Sequence, residues 1–248
     1  VAGSLRHRAR GAVDMPAVGD FVAVRAREAG HRARVAAVLP RRTAFLRRAP
    51  GDRAVAQVLA ANVDTAFLVM GLDGDFNTRR LERALVLAWE SGAEPVVLLN
   101  KADLCADVEA RRAEVEAAGP GVPVRVIAAN PGEGLGELRP WLVPGRTIGL
   151  LGSSGVGKST IVNRLLGREK QKTSEVREAD QRGRHTTTHR EIVPLPGGAL
   201  LLDTPGLREI QLWSDGAGLD SAFDDVQGLA ATCRFTDCTH ASEPGCAV

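Results

Sequence analysis

Hydrophobic and polar positions along this chain follow three regimes. Up to about residue 60 the apolar runs are short and valine-rich, at 21–25, 33–39 and 43–46, and are separated by Gly, Pro and charged clusters. That density of short strands predicts a small antiparallel β-barrel. An OB-fold fits it, and periodicity alone would equally allow an SH3-like barrel. From 61 to 212 strand-sized apolar runs alternate with helix-spaced segments. Strands are predicted at 65–70, 95–99, 124–128, 147–151 and 199–203. Helices are predicted at 78–91, where Leu81, Leu85 and Ala88 share a face, at 108–118, in a stretch ending at Leu138, and at 158–166. Such alternation specifies a parallel sheet with helices on both faces, an α/β core whose ligands bind at the carboxyl ends of its strands. Residues 213–248 show neither period and carry three cysteines.

Three motifs stand where those strands end. Asn100-Lys101-Ala102-Asp103 follows the run at 95–99, Gly152-Ser153-Ser154-Gly155-Val156-Gly157-Lys158-Ser159 follows 147–151, and Asp203-Thr204-Pro205-Gly206 follows 199–202. The second is a phosphate loop. Its glycines let successive N–H groups, those of Ser154, Gly155, Val156, Gly157 and Thr160 among them, turn toward phosphate oxygens. Lys158 is placed to reach the β- and γ-phosphates and the Ser159 hydroxyl to take a Mg²⁺ position. Asp103 addresses the base. An ionised carboxylate only accepts hydrogen bonds, and guanine offers two adjacent donors that adenine lacks, so the ligand is expected to be GTP or GDP. An ATPase is the weaker alternative. Lys101 would lay its stem over the base, and Asn100 would read its edge and brace the phosphate loop. The remaining base contact falls on Ala128-Ala129-Asn130, which has no side chain suited to it, leaving a backbone N–H of Ala129.

Asp203 and Gly206 are expected to sense Mg²⁺ and the γ-phosphate, and a switch threonine is expected in 183–188. Leu207 occupies the place where Ras-like enzymes carry a water-orienting Gln. Catalysis must then come from another residue, from a slow intrinsic reaction, or from a partner; His185 is the best internal candidate. Cys233, Cys238, His240 and Cys246 have the spacing of a tetrahedral Cys₃His zinc site. Disulfides are the competing account, and three cysteines would leave one unpaired.

Composition narrows the classes further. Hydrophobic residues at 44% and charged residues at 25% are globular values. No apolar stretch is long enough for a membrane-spanning helix. Net charge is +2, yet residues 1–60 hold 12 arginines against 4 acidic residues. That excess suits a polyanion such as RNA, and equally a solvated arginine-rich surface. The chain opens on Val1 without a signal-peptide core, so a natural start upstream is expected.

The order of the motifs is itself informative: the base-reading motif precedes the phosphate loop. With the Cys-x₄-Cys-x-His-x₅-Cys tail, the segment Ala61-Asn62-Val63-Asp64 and the 183–188 loop, the chain resembles the ribosome small-subunit-dependent GTPase A (RsgA) family of circularly permuted bacterial GTPases. The resemblance implies an OB barrel over 1–60, a permuted GTPase domain over 61–212 and a zinc domain over 213–248 that continues past Val248. It implies His185 as catalytic histidine, Thr187 as the switch threonine on Mg²⁺ beside Ser159 and Asp203, and the four tail residues as zinc ligands. It further implies a cytoplasmic monomer that meets the small ribosomal subunit and its rRNA, with no membrane or DNA partner. The enzyme would act late in maturation of that subunit, its GTPase stimulated there. A nucleotide-gated rRNA-binding scaffold with negligible hydrolysis of its own is the alternative that Leu207 motivates.

Overall fold

A computed structural model of the chain describes residues 9, 11–25, 33–48, 56–167, 191–203, 232–234, 238 and 245–247. The chain divides into two compact units, Val1–Trp213 and Ser214–Val248. In the first, β1 (Val22–Arg25) pairs antiparallel with β2 (Arg34–Val38), and β3 (Ala44–Arg48) with β4 (Ala56–Ala61), each pair carrying one register shift. These are the described strands of the segment expected to form a barrel. Of the four, β4 was not foreseen.

The core is a six-stranded sheet of β5 (Thr65–Gly71), β6 (Glu94–Asn100), β7 (Val124–Val126), β8 (Thr147–Leu151), β9 (Glu191–Pro194) and β10 (Leu200–Asp203). Its spatial order is β7-β6-β5-β8-β10-β9, parallel throughout except for the β9–β10 edge. Every residue of β5 and β8 is buried, which explains why both read as unbroken apolar runs: a parallel strand covered on both faces has no solvent side. Alternation along β5 and β6 divides the core. Leu68, Met70, Val97 and Leu99 pack with Leu81, Leu85 and Val115, whereas Phe67, Val69, Val96 and Leu98 pack with Ile161 and Val162. Each fully buried Leu or Phe contributes roughly 1.5–3 kcal/mol.

Those partners come from three helices. α1 (Thr78–Ser91) starts where the Asn77 side chain accepts from the Arg80 N–H, and it stops at Gly92 with φ +80°. α2 (Val108–Ala118) is capped by Asp107 and buries only Val115, as its charged sequence requires. α3 (Lys158–Leu166) buries Ile161, Val162 and Leu166. α1 and α2 therefore cover one face and α3 the other. The helix expected to end at Leu138 is instead a single 3₁₀ turn, Leu135–Leu138. Gly134 and Gly136 bracket its first residue and weaken any longer helix. The strand expected over 124–128 ends at Val126, and Ala128 forms an isolated bridge with Glu133.

β5, β6 and β7 step outward in one direction. β8 then returns to the other side of β5, and β10 steps out the opposite way. The order reverses between β5 and β8, so the crevice at their carboxyl ends is the expected binding position. A chain that began at β8 would fill the same six places in the order β8, β9, β10, β5, β6, β7. The sheet is that of an ordinary nucleotide-binding domain, and only its starting point has moved.

At the opposite end of the sheet, the link from β4 to β5 is tied down. The Asn62 amide donates to the Gly19 carbonyl at 2.9 Å and accepts from the Arg42 N–H at 2.9 Å. Asp64 accepts from the Thr147 N–H at 2.8 Å and pairs with Arg42 at 3.2 Å. The strand that feeds the phosphate loop is thereby anchored at its start.

Candidate functional site

β8 ends at Leu151 and the chain turns at once into the phosphate loop. Gly152 has φ +149°, and a Cβ there would stand 2.3 Å from the Val69 carbonyl oxygen; no side chain fits beside β5. Gly157 has φ +95° and caps α3; its Cβ would meet the Asn100 amide nitrogen at 2.2 Å. The α3 N-terminus follows the loop directly, the placement that phosphate binding needs. Lys158 is buried at 7% exposure, its Nζ donating to the Gly152 carbonyl at 2.7 Å and to the Ser153 carbonyl. Ser159 and Thr160 follow, half-buried, in the first turn of α3, while Ser154 and Gly155 are exposed at the loop tip and Val156 packs in the core.

β6 delivers the second motif. Asn100, 2% exposed at the strand's last position, donates from its amide to the Val156 carbonyl at 2.8 Å and accepts from the Ala129 N–H at 3.0 Å. One side chain thus fastens the phosphate loop to the loop after β7. It holds the Ala129 N–H that sequence assigned to the base, which gives Ala129 a bracing part in this structure. Lys101 adopts φ +66°, uncommon for a residue with a side chain, and its Nζ meets Asp73 Oδ2 at 2.5 Å. Burial alone would raise the Asp73 carboxyl; the Lys101 hydrogen bond, the Asp75 N–H and the Lys101 charge outweigh it and hold its pKa below the usual carboxylate value. Asp103 sits exposed in the 3₁₀ turn Ala102–Leu104, and among the described residues its carboxylate has no hydrogen-bond partner.

β10 ends at Asp203, on the same sheet edge and beside β8. The Asp203 side chain, Gly206, Leu207, His185, Thr187 and the whole 183–188 loop lie outside the described residues.

Sequence reasoning missed four contributors. Asp73 and Asp75 belong to the turn between β5 and α1, and Arg80 to the first turn of α1: Arg80 Nη1 pairs with Asp75 Oδ1 at 2.7 Å and donates to Ser153 Oγ at 2.9 Å, and the Ser153 hydroxyl donates to Asp75. The fourth is Arg164 of α3, which reaches the Ala129 carbonyl at 3.1 Å and the Asn130 carbonyl. The signal for the first three was the position of their turn, one strand from the phosphate loop at the switch point. Arg164 left no signal, because its contact is tertiary.

In the second unit, the Cys233, Cys238 and Cys246 sulfurs all lie within 4.8 Å of one another, and all are free thiols. Tetrahedral zinc with Zn–S near 2.3 Å sets sulfurs about 3.8 Å apart, so the cluster fits that ion. The Ala247 N–H donates to Cys233 Sγ at 3.3 Å, an interaction that favours a thiolate. His240 lies outside the described residues.

The geometry ties the Gly152–Ser159 loop to Asn100 and the loop after β7 on a rejoined chain, and comparison with known proteins decides the family. The family model described as RsgA GTPase matches residues 38–213. The chain belongs to the RsgA GTPase family. It is 56% identical over 99% of its length to the small ribosomal subunit biogenesis GTPase RsgA of Opitutus terrae, covering 70% of that protein. It is 51% identical over its whole length to the protein of the same name from Syntrophotalea carbinolica, again covering 70% of it. Among solved structures, YjeQ from Thermotoga maritima superposes with a TM-score of 0.71 at 27% identity, over 99% of this chain and 79% of that one. The fold is shared as well with YloQ, described as a circularly permuted GTPase, at a TM-score of 0.62 and 23% identity over 94% and 72% of the two chains. This RsgA-family chain is a GTP hydrolase with a circularly permuted core, and GTP, GDP and Mg²⁺ are the ligands that membership implies. No helix among its described residues is long and apolar enough to cross a membrane.

Proposed function

We propose that this GTPase acts in the cytoplasm during late maturation of the small ribosomal subunit, bound while GTP is present and released after hydrolysis. The observation that carries this reading is the 56% identity, over 99% of the chain, with a relative named for biogenesis of that subunit. The chain's own geometry supports the nucleotide half, since Asn100 ties phosphate and base loops into one site.

Lys158 faces the β- and γ-phosphates, Asp103 selects guanine, and the loop N–H groups from Ser154 to Thr160 hold phosphate oxygens. Ser159 and Asp203, with Thr187, would hold Mg²⁺, which when bound supplies charge neutralisation across the β- and γ-phosphates. His185 orients and deprotonates the attacking water in place of the missing Gln. Thr187 of the 183–188 loop would engage GTP through Mg²⁺, and loss of the γ-phosphate would remove that contact. The arginine-rich barrel segment and the zinc unit contact rRNA, the chain acting as a monomer.

Steady-state hydrolysis tests this with and without purified small ribosomal subunits. Subunits are expected to raise turnover by roughly 10²-fold or more, the scale of a partner completing an unfinished GTPase site. His185→Ala is expected to remove roughly 10²-fold or more of that rate. Stimulation that survives the substitution moves the catalytic group elsewhere. No stimulation despite tight GTP binding would favour a nucleotide-gated scaffold, the reading that Leu207 supports.

Zinc is tested by metal analysis of purified protein. One equivalent is expected, lost with Cys238→Ser; a metal-free protein with reduced thiols would overturn the assignment of Cys233, Cys238, His240 and Cys246.

A further inference from the structure

The loop after β7 poses a problem that the Asn100 bond solves only in part. Ala128 and Ala129 are buried and offer no polar side-chain atom, and Asn130 is exposed. The loop closes on itself, with the Gly132 and Glu133 N–H groups both donating to the Ala128 carbonyl at 2.8 and 3.0 Å. Its Ala129 N–H is engaged by Asn100 at 3.0 Å. What remains to be held is the tip, the peptides joining 129 to 130 and 130 to 131.

Arg164 holds both. Its Nε donates to the Ala129 carbonyl at 3.1 Å and a terminal nitrogen donates to the Asn130 carbonyl. A guanidinium is a rigid fork, so gripping two successive carbonyls fixes the planes of both peptides. In a trans peptide the N–H points opposite to the carbonyl. The Asn130 N–H, which meets no acceptor among the described residues, is therefore aimed away from Arg164, while the second peptide has no N–H because Pro131 follows. The gripping residue stands on α3, the helix whose first turn binds phosphate.

We propose that Arg164 is a positioning residue for the guanine base: from the phosphate-binding helix it sets the backbone of the base loop, replacing side-chain contacts that Ala128-Ala129-Asn130 cannot make. This rests on the guanine-site reading above. Arg164 touches neither phosphate nor base. It determines how well the base end of the site is formed, and leaves the phosphate end intact.

The test compares a fluorescent GDP with tripolyphosphate, which occupies the phosphate end alone, on the full chain. Arg164→Ala is expected to speed GDP dissociation about tenfold and to leave tripolyphosphate affinity unchanged. Ala is the better helix former, so loss of α3 is not the expected cause; a thermal melt checks this. Arg164→Lys keeps the charge but not the fork, and is expected to fall between Ala and wild type. Parallel weakening of tripolyphosphate, or an unchanged GDP rate, overturns the proposal. A wild-type protein that binds ADP as well as GDP overturns the guanine reading and the proposal with it. That failure appears in the wild type, where a failure of Arg164 alone would not.

Discussion

Asp103→Asn is expected to exchange guanine for xanthine: GDP affinity falls by about 10³-fold or more, and XDP becomes the preferred ligand. Guanine presents two donors to an acceptor-only carboxylate. Xanthine carries a carbonyl where guanine has its amino group, and so presents one donor and one acceptor, which an Asn amide matches. The structure makes the substitution clean. Asp103 is exposed, holds no other described residue, and sits in a turn whose geometry is set by Asn100 and Lys101. Competition among GDP, XDP and ADP reads the result directly. An equal loss for all three nucleotides, or retained GDP preference, would remove Asp103 from the base site.

Lys158→Ala is expected to lower single-turnover GTP hydrolysis by about 10²–10³-fold with little change in thermal stability. Lys158 is the buried cation of the phosphate loop, its Nζ resting on the carbonyls of Gly152 and Ser153. Its removal strips positive charge from the place where phosphate charge develops. The two carbonyls it leaves belong to half-buried residues that water can reach, so the fold loses little. Turnover within about tenfold of wild type would show that the charge is supplied elsewhere.

The sequence was most legible where local chemistry and burial agree. Asn77 and Gly92 bound α1 at Thr78 and Ser91, and the apolar spacing between them names the buried face. β5 and β8 were legible because full burial leaves an unbroken apolar run. β9 was not. It is a sheet edge with Glu191, Ile192 and Pro194 exposed, so only Val193 carries a core signal. Around the site, Asn100, Asp103 and Lys158 stood out in the sequence because each belongs to a short motif whose proposed chemistry few residue types can do. Asp73, Asp75, Arg80 and Arg164 act by meeting other loops. Their partners lie 28 residues away for Asp73 and up to 78 for the Asp75–Ser153 contact, and no local pattern encodes such meetings.

The return of β8 to the centre of the sheet also governs how the chain leaves the ribosome. Strands β5, β6 and β7 emerge first, and β5 must wait with one edge bare until Thr147–Leu151 arrives. All seven of its residues end up buried, so that edge is apolar on both sides of the strand. At about 5–20 residues per second, a delay of roughly 75 residues lasts several seconds, long compared with the microseconds in which strands pair. An unpermuted chain would deliver β8 first, and the waiting edge would then be the side of β8 that faces β5. Moving the starting point left the finished sheet unchanged and transferred the wait for a partner from β8 to β5, whose sticky edge is the one exposed during synthesis.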